Sequence, residues 1–187
     1  IFIAVWLHQT SSMEIEEAFR KSLFQVISLQ TSTGFATADY MLWPSILWGC
    51  LLIVMIIGAC AGSTGGGIKV SRVVVLFKSV QKELDVIVHP HNVKKLKMDG
   101  RVVEHAVVRS INVFIASYLM VFALSVLLIS LDNFDFMTNF TAVAATINNI
   151  GPGLGMVGPT GNFSQFSDFS KLVLTFDMLA GRLELFP

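Results

Sequence analysis

Two short polar strings, each containing glycine, interrupt the apolar runs of this chain and carry its most informative chemistry. The first covers residues 30–35 and the second covers residues 148–153. Their side chains are uncharged, so the groups best suited to bind a ligand are main-chain carbonyl oxygens. Rings of such oxygens can replace the hydration shell of a monovalent cation. The two strings therefore predict an ion-conducting pore.

A short helix before each string supports this interpretation. The patterns at residues 14–29 and 137–147 predict helices that are too short to span a bilayer. A helix aimed at a pore places its negative C-terminal end near a cation, and glycine lets the following backbone aim its carbonyls inward. The alternative is an ordinary turn on the outer face. Irregular backbone persists at membrane depth only where it is buried in protein or lines a water-filled path.

The composition is that of an integral membrane protein. Of 187 residues, 53% are hydrophobic and 14% are charged, whereas about 25% is usual for charged residues in a soluble domain. The net charge is zero, which gives no reason to expect nucleic acid as a partner. Residues 111–131 carry no charge and would form a helix about 31 Å long, enough to cross a bilayer. Further helices are predicted over residues 41–58, 68–84 and 169–187.

The order of these elements repeats as helix, short helix, polar glycine string and helix. The first unit covers residues 1–88, the second covers residues 105–187, and residues 89–104 link them. We expect an all-α membrane protein of tandem helix–pore-helix–filter–helix repeats, similar to a potassium channel. Because the chain begins and ends within apolar runs, we expect a fragment in which the first unit lacks its start and the second lacks its end.

The distribution of charge predicts the orientation in the membrane. Residues 69–109 hold nine of the 13 Lys and Arg residues, against four acidic residues. Cytoplasmic loops carry an excess of Lys and Arg. We therefore expect residues 69–109, including the linker, on the cytoplasmic side, and both polar strings entering the membrane from outside.

A third glycine-rich string, at residues 58–67, should break the helix that precedes it. That helix is marginal in length for a crossing, and residues 68–76 are apolar enough to complete one. A flexible string at mid-membrane can block or clear a pore, whereas the alternative is a cytoplasmic turn. Arg182 lies about 13 residues into the last predicted helix, roughly 20 Å deep. A charge at that depth usually faces a cavity or a partner; the alternative is that Arg182 marks the cytoplasmic end.

Four passages together resemble the TrkH/KtrB/HKT superfamily of potassium transporters, most closely the bacterial TrkH family. They are residues 31–35 (TSTGF), 62–69 (GSTGGGIK), 148–153 (NNIGPG) and 180–184 (AGRLE), in the order in which the family has them. Family members have four pore repeats per subunit, and this chain resembles the third and fourth. The resemblance implies potassium uptake by a multi-pass protein of the bacterial inner membrane, with no chemical step and no cofactor besides the transported K⁺.

The resemblance also implies which residues form the site. Each repeat supplies one filter strand with a central glycine, here Gly34 and Gly151. The implied filter residues are Thr31, Ser32, Thr33, Gly34, Asn148, Asn149, Ile150 and Gly151, with K⁺ held at Ser32, Thr33, Asn149 and Ile150. The implied gate is an intramembrane loop at residues 58–67, including Gly62, Ser63, Thr64, Gly65, Gly66 and Gly67, together with a pore-facing Arg182. Asp177 falls where a small or apolar residue is expected.

The implied partners are membrane lipid, a second copy of the full-length protein in a homodimer, and a cytoplasmic nucleotide-binding regulatory subunit. Three other interpretations compete with an ion pore. A non-conducting membrane scaffold or assembly subunit with re-entrant hairpins remains open. A secondary carrier is disfavoured because the strings lack the charged ligands that carriers usually place at mid-membrane. An enzyme is disfavoured because Ile68 separates Gly67 from Lys69, which breaks the Walker phosphate-binding pattern.

Overall fold

The computed structural model describes residues 1–11, 13–60, 62–63, 65–89, 96–98 and 101–183. These residues are helical apart from turns, loops and one small hairpin. The helices are α1 (Phe2–Ser11), α2 (Ile15–Gln30), α3 (Ser45–Ile57), α4 (Val70–Val88), α5 (His105–Ile129), α6 (Phe136–Ile147) and α7 (Asp168–Arg182). The hairpin pairs β1 (Lys97–Met98) with β2 (Arg101–Val102) in antiparallel register.

The helices pack as two similar groups. In the first, α2 lies against α1 and α3; in the second, α6 lies against α5 and α7, and α5 also packs against α7. The contact between α4 and α5 joins the groups, and Arg72 of α4 places its guanidinium 4.0 Å from the centre of the Phe114 ring in α5. The helices α2 and α6, which precede the polar strings, therefore each pack between two other helices of their group, as the repeated order of elements predicts.

Polar side chains cap the N-terminal ends of α6 and α7. Asp135 precedes α6, where its carboxylate accepts the backbone N–H of Thr138 at 3.0 Å and the Thr138 hydroxyl at 2.6 Å. These bonds, the hydroxyl first, hold the pKa of Asp135 below its usual range. Ser167 caps α7 and donates its own backbone N–H to Asp132 at 2.9 Å. The caps fix where α6 and α7 begin.

The helix predicted over residues 41–58 begins later than expected. Residues Tyr40–Leu42 form a single 3-10 turn, and α3 starts at Ser45. The cause is Pro44, which has no N–H to donate and disfavours helical geometry in the residue before it. With 13 residues, α3 is about 20 Å long, so it cannot cross a membrane unaided.

Length and composition single out residues 105–132 as the one helical stretch, within the described part of the chain, that could cross a membrane. The shorter helices α3 and α6 are also apolar. Residues 58–69 separate α3 from α4, so the helix is interrupted at the glycine-rich string as predicted, and α4 begins at Val70 rather than at residue 68.

The two groups share one core. Leu29, Leu47 and Leu51 of the first group pack in the same buried cluster as Ile150 and Leu154 of the second. A buried hydrogen bond crosses between the groups, because the Tyr40 hydroxyl donates to the Gly153 carbonyl oxygen at 2.9 Å. These contacts bring the end of the first string and the end of the second string into one region.

Candidate ion-conduction site

The first polar string begins with a Schellman motif, a helix ending closed by two main-chain hydrogen bonds. Ser32 N–H donates to Leu29 O at 3.3 Å, and Thr33 N–H donates to Ser28 O at 2.9 Å. The motif places one residue in the left-handed region, and Ser32 adopts it with a φ of 56°. Gly34 follows with a φ of 77°, so the backbone turns twice within three residues.

The second string begins with the same motif. Asn149 N–H donates to Thr146 O at 3.0 Å, and Ile150 N–H donates to Ala145 O at 2.9 Å. Asn149 has a φ of 54° and Gly151 has a φ of 105°. The path of the main chain is therefore the same after α6 as after α2.

This match extends to the residues that end the helices. Thr31 has φ −86° and ψ 1°, and Asn148 has φ −92° and ψ 0°. The sequence pattern placed the special backbone conformation at the glycines and missed the left-handed Ser32 and Asn149. Asn adopts that region more readily than most residues, so Asn149 carried a signal, whereas nothing in the sequence marked Ser32.

All four predicted K⁺ ligands line one cavity of about 510 Å³ between the strings and α7: Ser32, Thr33, Asn149 and Ile150. Gly151 also lines it, whereas Thr31, Gly34 and Asn148 do not. Among the hydrogen bonds of the described residues, none ends on the main-chain oxygens of the four predicted ligands. These oxygens therefore accept no hydrogen bond within the described part of the chain, and that of Ile150 packs against Gly34.

The two strings touch at Gly34. A Cβ added there would collide with the carbonyl oxygen of Ile150 and lie 3.2 Å from Cδ of Pro152. The surroundings of Gly151 differ, because a Cβ there meets nothing within 4 Å. Gly34 is therefore required by both its neighbour and its positive φ, whereas Gly151 is required within this chain by its φ alone.

Side chains of the flanking helices hold the second string from both sides. The Tyr118 hydroxyl of α5 donates to Oδ1 of Asn148 at 3.1 Å, and Nδ2 of Asn148 donates to Ala144 O at 2.7 Å. Nδ2 of Asn149 donates to the Met178 carbonyl oxygen of α7 at 3.2 Å. The bonds from Tyr118 and to Met178 could not be predicted from the sequence, since each joins residues about 30 positions apart.

The glycine-rich string lies directly against both polar strings. A Cβ at Gly65 would lie 3.5 Å from the Ser32 hydroxyl oxygen, and one at Gly67 would lie 3.3 Å from Oδ1 of Asn148. A Cβ at Gly66 would collide with the Asn148 carbonyl oxygen. Three motifs that are far apart in the sequence therefore meet through glycines, because larger residues would hold the backbones apart.

The ends of the glycine-rich string are tied together. Ile68 N–H donates to Ile56 O at 3.1 Å, which closes the break between α3 and α4. Lys69 is 5% exposed and donates from Nζ to the Ser63 carbonyl oxygen at 3.2 Å. The loop is therefore a folded element with its own internal bonds.

Gly62 and Arg182, which are also predicted gate residues, are placed differently. Gly62 is exposed, with a φ of 80° and no atom within 4 Å of an added Cβ. Thr64 lies outside the described residues. Arg182 is exposed at the end of α7, and the preceding Gly181 packs so closely on Ile147 O that a Cβ would collide with it. This contact sets Arg182 beside the end of α6, where the second string begins.

Charged and ionisable groups near the cavity are few. Lys171 lines it, with its ammonium 3.6 Å from the Asp168 carboxylate. Asp177, where a small or apolar residue was expected, is fully buried and accepts the Ser125 hydroxyl at 2.7 Å. No cluster of three or more His, Cys, Asp and Glu side chains suited to a metal ion occurs in the described part of the chain. Main-chain oxygens therefore remain the candidate ligands.

The close approach at Gly34 predicts an order of stabilities. Gly34→Ala should lower the melting temperature of the intact protein in detergent more than Gly151→Ala, because collision with Ile150 O adds to the strain of a positive φ. Gly49→Ala is the matched control: its Cβ would meet nothing within 4 Å, and Ala favours a helix interior over Gly by roughly 1 kcal/mol. An unchanged melting temperature for Gly34→Ala would contradict the contact.

Comparison with known proteins agrees with this arrangement. A family model described as TrkH, cation transport protein, matches residues 1–187. The Trk system potassium uptake protein TrkH of Escherichia coli K12 is 40% identical over 187 residues, covering 98% of this chain and 38% of the relative. Its counterpart in Vibrio parahaemolyticus is 42% identical over 170 residues, covering 91% of this chain and 35% of the relative. TrkG of Escherichia coli K12 is 34% identical over 174 residues, covering 93% and 36%.

The crystal structure of the potassium transporter TrkH from Vibrio parahaemolyticus superposes on this chain with a TM-score of 0.90 at 39% identity, covering 99% of this chain and 39% of that one. The predicted all-helical fold and the resemblance are confirmed. The chain spans about 38% of the length of the first curated relatives that it matches. Their family is one of membrane transporters and not of enzymes. The chain belongs to the TrkH cation transport family.

Proposed function

We propose that this chain supplies two quadrants of a potassium-selective pore, and that the intact protein takes up K⁺ across the bacterial inner membrane. The observation that carries the proposal is that Ser32, Thr33, Asn149 and Ile150 line one cavity, on two strings with the same backbone path. Relatives of the chain are named potassium uptake proteins. In this proposal residues 1–88 form the third pore repeat, residues 89–104 a cytoplasmic linker, and residues 105–187 the fourth repeat.

K⁺ entering the filter exchanges water for main-chain oxygens of these four residues. Each oxygen carries only a partial charge, so a ring of them holds a monovalent cation while still letting it leave. The C-terminal ends of α2 and α6 add the negative end of a helix dipole, equivalent to about half an elementary charge each. Two strings form half a ring. Within the described part of this chain nothing lies within 4 Å of a Cβ added at Gly151, so a further filter strand would pack there in the same way that Ile150 packs on Gly34.

The glycine-rich string at residues 58–67 acts as the gate below the filter. Its support is the contact of Gly65 with Ser32 and of Gly66 with Asn148, which sets the string across the inner end of both filter strands. Glycine permits large backbone rotations at little cost, so the string can move aside without unfolding its neighbours. Arg182, next to the close contact of Gly181 with α6, adds a positive charge that opposes cation flow on the inner side.

The partners follow from the same orientation. The basic residues of α4 and of the hairpin, among them Lys78 and Lys82, lie in the segment that the charge distribution assigns to the cytoplasm. We propose this surface as the docking side of a cytoplasmic nucleotide-binding regulatory subunit. We also propose that the intact protein forms a homodimer within the lipid bilayer.

The filter proposal is tested by ion selectivity. In the intact protein reconstituted into liposomes, Gly34→Ser and Gly151→Ser should each lower the ratio of K⁺ to Na⁺ flux. The expected fall is about tenfold. Such a fall requires the difference between the binding free energies of K⁺ and Na⁺ to shrink by only about 1.4 kcal/mol when one ring of oxygens is displaced. The control is Gly49→Ser, because a Cβ at Gly49 would meet nothing within 4 Å.

The same measurement separates a pore from a non-conducting scaffold with re-entrant hairpins. A scaffold would show lower stability in Gly34→Ser and no ion flux in the native protein. Unchanged ion ratios in both filter variants of a conducting protein would refute the assignment of these strings to the filter.

The gate proposal is tested by shortening the glycine-rich string. Deleting Gly65 and Gly66 removes the contacts with Ser32 and Asn148, so resting K⁺ flux without a regulator should rise, by about tenfold if the closed state loses about 1.4 kcal/mol. Gly49→Ala is the control, because it lies in α3 outside the loop and its Cβ would meet nothing within 4 Å. A resting flux equal to that of the native protein would show that the loop does not gate.

A further inference from the structure

Asp177 is an ionisable side chain in the middle of an apolar interface. It lies in α7 and is 0% exposed. Ionisable residues within transmembrane helices are costly and usually mark a proton or ion site. Neither the filter nor the gate proposed above uses this carboxyl group.

The hydrogen bonds of Asp177 suit a neutral acid rather than an anion. The Ser125 hydroxyl donates to Oδ1 at 2.7 Å, and Oδ2 has no hydrogen-bond partner among the described residues. Burial removes the hydration that stabilises a carboxylate. A single hydrogen bond, without a cation nearby, would replace only a small part of that stabilisation. Adding a proton removes the charge and leaves at most one unpaired O–H group. Burying such a neutral group costs much less free energy than burying an unpaired anion.

The charged and titratable groups around Asp177 do not supply a counter-ion in the described part of the chain. From α5, the titratable group that interacts with it is Tyr118, which is neutral. The helix α6 contains no titratable residue. On α7 itself, Lys171 lies toward the outer end and contacts Asp168, and Arg182 lies more than a turn beyond, at the opposite end. Ser125 supplies the one hydrogen bond to this carboxyl group among the described residues.

Asp177 is coupled to the second filter string through two helices. It directly precedes Met178, whose carbonyl oxygen accepts Nδ2 of Asn149. Its partner Ser125 lies on the same face of α5 as Tyr118, seven residues earlier, and Tyr118 donates to Asn148. The helices α5 and α7 therefore bind the string from opposite sides, and the bond between Ser125 and Asp177 joins the two helices to each other.

We propose that Asp177 is a proton-binding site, whose neutral acid ties α5 to α7 behind the second filter string and whose deprotonation loosens that string. The inference rests on the proposed role of residues 148–151 in the filter. Asp177 is a positioning residue, since it acts through Met178 and Ser125 and does not touch the ion. Proton release leaves an unpaired buried anion, which draws water into the interface and separates the two helices.

The test is K⁺ flux through the intact reconstituted protein between about pH 6 and about pH 9, a range in which exposed carboxyl groups are already ionised. Flux and K⁺ over Na⁺ preference of the native protein should fall as the pH rises, by about tenfold across the range. Asp177→Asn keeps an oxygen that can accept from Ser125 and cannot ionise, so its flux should stay high and independent of pH. Asp177→Leu loses the bond and should show reduced selectivity at every pH.

Asp168→Asn is the matched control, because this carboxyl is on the same helix and fully exposed; its pH profile should equal that of the native protein. Infrared spectroscopy gives a readout that does not depend on transport. At about pH 6, where exposed carboxyl groups are already ionised, the native protein should show a protonated carboxyl band that Asp177→Asn lacks, even if the filter proposal fails. Absence of that band, or identical pH profiles for the native protein and Asp177→Asn, would overturn the proposal.

Discussion

The structure depends on how two short helices end. A helix leaves its last carbonyl oxygens without intrahelical partners, and in a membrane protein these groups need other partners. At the ends of α2 and α6, the Schellman motif satisfies some of them with amide groups of Ser32, Thr33, Asn149 and Ile150. The oxygens of the same four residues receive no hydrogen bond within the described chain. In each string the amide groups therefore point back toward the end of the helix. The carbonyl oxygens of the same residues are left to bind another partner.

Contacts with neighbouring loops and helices hold the backbone of the two strings in this conformation. Close packing through Gly34 and Gly66 lets three loops approach to main-chain contact, which side chains would prevent. Polar side chains then fix the position of the second string, through Tyr118 to Asn148 and through Asn149 to α7. A selective site needs such support, because a ring of oxygens distinguishes ions only while its geometry is maintained.

The sequence predicted the fold well where periodicity and length are informative. The short helices, the long α5 and the break at residues 58–67 follow from apolar patterns and glycine content, and the match of TM-score 0.90 confirms the helical fold. The predicted start of α3 is wrong because Pro44 interrupts the helix within an otherwise continuous apolar run. The local signal of Pro44 was present in the sequence and was sufficient to place this boundary.

Much of the site could not be predicted, since it depends on pairs of residues that meet only after folding. Tyr118 is 30 residues from Asn148, and Ser125 is 52 residues from Asp177. Apolar helices surround these polar groups, so their types alone do not show which of them are paired. The sequence marked Asp177 as unexpected, whereas only the structure shows that it joins two helices that hold the same string.

The most direct test of the account is to locate the cation. Crystals of the intact protein grown in Rb⁺, which replaces K⁺ and scatters X-rays anomalously, should show anomalous peaks on an axis bounded by the main-chain oxygens of Ser32, Thr33, Asn149 and Ile150. Replacing Rb⁺ by Na⁺ should remove them. Peaks confined to other parts of the protein, or a structure in which these oxygens face lipid, would contradict the proposal that the two strings hold the transported ion.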